Sequence, residues 1–158
     1  MLAIRRLLVV FALVALAVVA ATPAGAQDAA VTKCAAFTVL KPGNEVRPPD
    51  TTDPVESRAT GVALVAIKGT KLFFTVAISN PARETFIAGH IHQAPAGQNY
   101  GIVVPLFDGS SSPRIFTQAG VLDIDANLAA AICGNLAGYY VNYHTTQDPM
   151  GAVRGQLG

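Results

Sequence analysis

Three histidines are the residues of this sequence best suited to chemistry, and they stand at positions 90, 92 and 144. Side chains alternate along a β-strand, so His90 and His92 would share one face of a strand while Ile91 points to the other. Neutral imidazole is a good ligand for copper and zinc. If the strand that carries His144 lies beside this one, the sequence predicts a copper or zinc site. A separation of more than about 10 Å between His144 and the pair would exclude that site, since imidazole bonds to these metals are ~2 Å long.

A structural role for the histidines is the alternative. Ring N–H groups at strand ends can donate to carbonyl groups of adjoining loops and fix those loops in place. Asn142 would share a strand face with His144, and Arg154 follows in the last strand-like run. We expect Asn142 and Arg154 to support the site in either case. The sequence leaves both roles open.

Other residue combinations point less clearly to chemistry. Glu45, Asp148 and Arg154 are expected to form a buried or loop-bridging ion pair, which is more often structural than catalytic. The serines at 110–112 have no nucleophile-elbow motif around them, and no glycine-rich phosphate loop is present. The four tyrosines fit strand packing better than a binding patch. The residues therefore favour a non-enzymatic role.

The elements that must position these residues read as short strands between turn residues. A run rich in alanine and leucine at 125–136 instead predicts one short helix, capped by Asp125. Pro105 cannot donate a backbone hydrogen bond to a sheet, so it is expected near a sheet edge or a strand end. Such spacing predicts an all-β, antiparallel Greek-key sandwich or barrel with one short helix. The strand-like runs are 34–40, 60–67, 71–78, 86–92, 102–107, 114–121, 139–144 and 152–157.

The N-terminus predicts export. Arg5 and Arg6 precede an apolar run at 7–21, and small residues at 24–26 end it, which is the layout of a cleavable signal peptide at residues 1–26. Residues 27–36 would form an N-terminal segment and 37–158 one domain. No later stretch approaches a transmembrane length, so we expect no membrane span after cleavage. The predicted location is periplasmic or extracellular.

Cysteine content and charge fit that location. Cys34 and Cys133 are the two cysteines, and an oxidising compartment favours a disulfide between them, with two buried thiols as the alternative. Loss of Arg5 and Arg6 with the signal leaves 9 basic and 10 acidic residues. A nearly neutral surface argues against nucleic acid as a partner.

Three segments resemble one known family. They are AGHIH at 88–92 with VVPL at 103–106, YVNYHT at 140–145 with PMGAVRGQL at 149–157, and LKPGNEVRPP at 40–49. Together they resemble the chordin-type (CHRD) domain over residues 37–158. The resemblance implies an immunoglobulin-like or related β-sandwich and no established activity. The first functional prediction is therefore a non-enzymatic binding or structural module whose partner is an unidentified protein or glycan.

The histidine pattern is also similar to that of copper/zinc superoxide dismutases. In those enzymes an HVH strand and a later strand histidine hold copper near an arginine, and Arg154 would be the analogous arginine here. This sequence has no fourth histidine and no zinc-site cluster. The alternative prediction is a copper or zinc binding protein with a superoxide-dismutase-like fold and a site formed by His90, His92 and His144.

Overall fold

Eight β-strands and one α-helix make up the described part of the molecule, which in the computed structural model comprises residues 32–47 and 54–158. The expected signal peptide, residues 1–26, lies outside this part. The helix α1 spans Ala126–Gly134, and 3₁₀ turns cover Pro42–Asn44 and Leu136–Gly138. The strands are β1 (Lys33–Leu40), β2 (Thr60–Lys68), β3 (Lys71–Ser79), β4 (Phe86–Gln93), β5 (Ile102–Ser111), β6 (Ile115–Asp123), β7 (Tyr139–Thr145) and β8 (Val153–Gln156).

Two antiparallel sheets contain these strands. The strand order is β1-β2-β3-β6 in sheet 1 and β5-β4-β7-β8 in sheet 2. After the β4–β5 hairpin the chain returns to place β6 beside β3, and β7 then lies beside β4, which are Greek-key connections. The predicted all-β antiparallel sandwich with one short helix is confirmed.

The core lies between the sheets and decides which way the histidines point. Sheet 1 buries every second side chain of β2 and β3. Sheet 2 contributes Ile91, Val141 and Tyr143, none of which is exposed to solvent. Gly89 packs directly on the Tyr143 ring, where any Cβ atom would overlap ring carbons. Because these residues face inward, the intervening residues of β4 and β7 face away from the core.

Strand β5 is longer than the sequence predicted. Its expected end was residue 107, and the segment after it was expected to be a serine- and glycine-rich loop. In the structure Ala88 pairs with Asp108 and Phe86 pairs with Ser111, with register shifts between these pairs. Pairing with β4 through such irregularities outweighs the weak strand propensity of Gly109 and the serines. The edge position expected for Pro105 is confirmed, since β5 is an edge strand of sheet 2.

The helix and the disulfide also agree with the predictions made from the sequence. The Asp125 side chain accepts hydrogen bonds from the backbone N–H groups of Asn127 and Leu128, so Asp125 is the N-cap of α1. Cys34 and Cys133 form the predicted disulfide, with Cα atoms 5.4 Å apart, and it ties β1 to α1. Within 32–47 and 54–158, every helix is too short or too polar to cross a membrane.

Candidate metal centre

Strands β4 and β7 are neighbours, and this pairing brings the three histidines together. His90 lies opposite Asn142 in the register, and Ala88 lies opposite His144. All three imidazoles project from the face of sheet 2 that points away from the core. The His90 ring centroid lies 5.4 Å from that of His92 and 5.1 Å from that of His144, and the last two lie 5.9 Å apart. His144 is therefore much closer to His90 and His92 than the separation of about 10 Å beyond which a shared ion would be excluded.

The ring nitrogens are close enough to share one ion after a small adjustment. One nitrogen from each ring lies within 4.8 Å of the others. Three nitrogens bonded at ~2 Å to one tetrahedral ion lie about 3.3 Å apart. The widest nitrogen–nitrogen separation must therefore close by at most about 1.5 Å. His90 is the least buried of the three and can supply that movement.

Two backbone carbonyls fix the tautomers of the buried histidines. His92 Nδ1 lies 2.9 Å from the Tyr100 carbonyl oxygen, and His144 Nδ1 lies 3.0 Å from that of Pro149. A carbonyl oxygen only accepts hydrogen bonds, so both Nδ1 atoms must carry the proton. Each ring is then left with a lone pair on Nε2, which is the form that binds a metal.

The free nitrogens face one another. His144 Nε2 lies 3.3 Å from His90 Nδ1, so in the absence of a metal His90 donates this hydrogen bond. His92 Nε2 is buried and has no hydrogen-bond partner among the described residues. A buried acceptor without a partner destabilises a folded protein by about 1–3 kcal/mol. A metal ion would remove that penalty by accepting the lone pair.

Burial keeps the three imidazoles neutral. Burial, with a smaller contribution from the neighbouring His90 and His92 rings, lowers the pKa of His144 to about 4 against the opposing effect of the Pro149 carbonyl. Burial is also the main reason why the pKa values of His90 and His92 are lowered. At neutral pH the cluster therefore presents uncharged ligands, and metal binding needs no large release of protons.

Loops cover the site, which the sequence did not reveal. The histidines were expected on the outside of the sandwich, and they do point away from the core. Even so, His92 is only 8% exposed and His144 9% exposed. The segments at 94–101 and 146–152 supply the two carbonyls that hold these rings. Since a backbone carbonyl has no sequence signature, nothing in the sequence could have identified Tyr100 or Pro149 in this role.

Tyr140 connects the site to Arg154. The Tyr140 ring is stacked on His92 with centroids 4.9 Å apart and planes 8° apart. The Arg154 guanidinium carbon lies 3.4 Å from the centroid of the same ring. Since β7 lies between β4 and β8, the two contacts come from opposite sides. Arg154 thus reaches the site through Tyr140, while Asn142, the other expected supporting residue, is buried beside His90 in the register.

The expected ion pair takes a different form. Asp148 pairs with Arg47, and the Arg154 guanidinium donates only to neutral acceptors among the described residues. Glu45 accepts a hydrogen bond from Asn142 at 3.3 Å. Burial raises the pKa of Glu45 to about 8, although Arg154, Asn142 and Arg47 act to lower it. Glu45 is therefore largely protonated at neutral pH.

Glu45→Gln should change how stability depends on pH. A folded-state pKa of about 8, raised from 4.5, means that the Glu45 contribution is complete below about pH 4.5 and is lost as pH rises to about 8. Between pH 5 and 8, we expect the free energy of unfolding of the wild type to fall by about 2 kcal/mol relative to that of Glu45→Gln. This figure is reduced from the full effect because Glu45 is partly exposed to solvent. Urea denaturation at several pH values, in the presence of a chelator, measures this.

The exposed Glu56 supplies the matched control for that comparison. Glu56→Gln should follow the wild-type pH dependence, because its carboxyl is solvated in both states. The histidines titrate alike in all three proteins, so their contributions cancel when the stability curves are compared. Parallel stability curves for wild type and Glu45→Gln would show that Glu45 ionises normally, in spite of its burial near Arg154, Arg47 and Asp148.

A known protein family matches most of this chain. The model of the CHRD domain family matches residues 36–157. No curated protein and no solved structure matches the chain. The matched region runs from the fourth residue of β1 to the residue after β8, so it contains all three histidines, Asn142 and Arg154. The chain belongs to the CHRD domain family.

Proposed function

We propose that this CHRD domain protein binds one copper or zinc ion through His90, His92 and His144. The observation that carries the proposal is the arrangement of the two buried rings. Each has its Nδ1 proton held by a loop carbonyl, which leaves the Nε2 lone pair free, and one nitrogen from each of the three histidines lies within 4.8 Å of the others. A hydrogen bond from the outer nitrogen of a ligating histidine to a carbonyl is the usual support of a metal ligand.

Structural histidines would be satisfied differently. If the rings only fixed loops, each ring nitrogen facing the cluster should find a protein partner, because unpaired buried acceptors are rare. His92 Nε2 has none among the described residues. The carbonyl bonds account for one nitrogen of each buried ring, and His90 donates to His144 Nε2, so His92 Nε2 is the nitrogen for which a metal would account. The structural role and the metal role are therefore compatible, and the metal role explains more of the geometry.

A metal ion bound here would keep one coordination position free of protein ligands. Three protein ligands leave a fourth position on zinc or copper for water or another small ligand. His90 is only partly buried, so this position lies toward solvent on the His90 side of the cluster. We propose metal binding and handling for this site, without a catalytic step.

Removal of one ligand should abolish tight binding. We expect the protein, purified without a histidine tag, to bind one Cu²⁺ or Zn²⁺ per chain. His90→Ala should weaken binding by roughly 100-fold, because one of three imidazole bonds is lost. Isothermal titration with each metal after treatment with a chelator measures both the stoichiometry and the affinity.

Controls separate ligand loss from misfolding. His90 is the most exposed ligand, so its replacement disturbs the packing least. Gln93→Ala changes an exposed residue of the same strand and should bind metal as the wild type does. A wild type that is folded yet takes up neither metal would overturn the proposal, as would equal affinities for His90→Ala and Gln93→Ala.

The remaining parts of the functional prediction concern location and partners. We infer export from the signal-like N-terminus, and the disulfide supports an oxidising compartment. A protein or glycan partner, periplasmic or extracellular, stays a prediction. Analysis of secreted and periplasmic fractions for a chain that begins at Gln27 tests the export proposal.

A further inference from the structure

The outer face of sheet 1 is apolar across all four of its strands. Phe37 is 64% exposed there, Leu64 48%, Phe73 43% and Val121 56%. The outer face of an antiparallel sandwich is ordinarily polar, because it meets water. A contiguous exposed patch of large apolar side chains is typical of an interaction surface.

Charge on this face lies at its two ends, with Lys41 beyond Val39 at one end and a charged row at the other. The cross-strand register places Lys33, Lys68, Lys71 and Asp123 in a single row. The next three rows contain only alanine, valine, leucine, phenylalanine and threonine at the outward positions. We call these three rows the apolar face. It offers nothing that a charged partner would recognise.

Within each row of the apolar face, the larger side chains occupy one half of the sheet and the smaller ones the other half. In the row beside the charges, the small Ala66 lies on β2 and the large Phe73 on β3. In the next row the order is reversed, with the large Leu64 on β2 and the small Thr75 on β3. The outer strands repeat the pattern. Such a surface fits a copy of itself that is turned about an axis parallel to the strands.

We propose that a second copy of this chain docks on the apolar face, related by a two-fold axis parallel to the strands. β1 then lies over β6 of the second copy, and β2 lies over its β3. Phe73 meets Ala66 of the partner subunit, and Leu64 meets Thr75 of the partner subunit. At the rim Lys33 approaches Asp123 of the partner subunit, and Lys68 approaches Lys71 of the partner subunit, so the attraction comes from the apolar rows and not from this charged row. The symmetric contact is of the isologous kind found in most homodimers.

The area suffices for a dimer. Four strands about 4.8 Å apart and nine residues long at about 3.3 Å each cover roughly 550 Å² on each copy, of which the three rows of the apolar face make up roughly 400 Å². Two copies bury at least about 1,000 Å², which is the lower limit of specific interfaces. Side chains that project from the sheet increase the buried area above this estimate for a flat surface. Sheets stacked face to face at about 10 Å interdigitate their side chains in the same way inside ordinary sandwiches.

A charge exchange between two variants tests the arrangement. The wild type at roughly 100 µM, well above a micromolar dissociation constant, should show the mass of a dimer in light scattering. Leu64→Lys and Thr75→Glu should each show half that mass. Because Leu64 faces Thr75 of the partner subunit, an equimolar mixture of the two variants should regain the dimer mass. Ile102→Lys, at an exposed apolar position of sheet 2, should leave the wild-type dimer intact.

Each outcome decides the proposal. Circular dichroism confirms that the variants are folded, which is expected because both positions are exposed on the surface. A monomeric wild type at this concentration overturns the proposal. A dimer that survives Leu64→Lys places the interface elsewhere. Single variants that stay monomeric after mixing overturn the strand-parallel two-fold arrangement.

Discussion

Replacement of both Cys34 and Cys133 by alanine should lower the free energy of unfolding by about 4 kcal/mol. The disulfide joins residues 99 positions apart, so it closes a loop that contains nearly the whole domain. In the chain-entropy description, a cross-link over so long a loop removes much of the conformational freedom of the unfolded state. The two half-buried cysteines contribute little packing that alanine would lose.

Urea denaturation of the wild type, the double alanine variant and the reduced wild type measures this effect. The reduced wild type should match the variant, since both lack only the cross-link. Metal affinity should be unchanged in the variant, because the disulfide joins β1 to α1 and the histidines lie on β4 and β7. A change in stability below about 1 kcal/mol would show that the unfolded state is already compact without the cross-link.

Much of the site geometry could be predicted because it depends on strand periodicity alone. His90 and His92 had to share a face, and Ile91 had to take the other, once the run was a strand. The close approach of His144 needed one further fact, the pairing of β4 with β7. Sequence periodicity does not specify which strands pair, so convergence could only be stated as a condition. The structure supplies that pairing.

The rest of the site depends on tertiary contacts that leave no local pattern. The Tyr100 and Pro149 carbonyls are backbone groups, so their choice as supports is invisible in the sequence. The end of β5 was missed because Gly109 and the serines have weak strand propensity, yet pairing with β4 extends the strand. The strands of sheet 1 are apolar on both faces over much of their length, and alternation alone does not show that Phe37 and Leu64 point outward.

Arg154→Ala should destabilise the protein by about 3–5 kcal/mol. The side chain is 1% exposed, and its guanidinium donates to Asn99 Oδ1 at 2.8 Å, the Pro95 carbonyl at 3.2 Å and Gln156 Oε1 at 3.3 Å. Alanine would remove these three hydrogen bonds, leave Gln156 Oε1 without a donor and open a cavity beside Tyr140. Arg154→Lys keeps the charge but not the planar fork, so it should recover only part of the stability.

The exposed Arg114 provides the matched control, because Arg114→Ala removes an equal charge without buried partners. It should change stability by less than about 0.5 kcal/mol. An Arg154→Ala protein as stable as Arg114→Ala in urea would show that solvent replaces the lost donors at no cost.

Arg154→Ala should also weaken metal binding by roughly 10-fold, although Arg154 touches no histidine. Arg154 holds the segment at 94–101 through Asn99 and Pro95, and that segment supplies the Tyr100 carbonyl to His92. Without Arg154, both the carbonyl and the stacked Tyr140 ring lose their support, so His92 Nε2 is less well directed. Metal titration well below the unfolding temperature separates this effect from global stability. An affinity equal to that of Arg114→Ala would mean that β4 alone orients His92, and that the Arg154–Tyr140 contact stabilises the fold without organising the metal ligands.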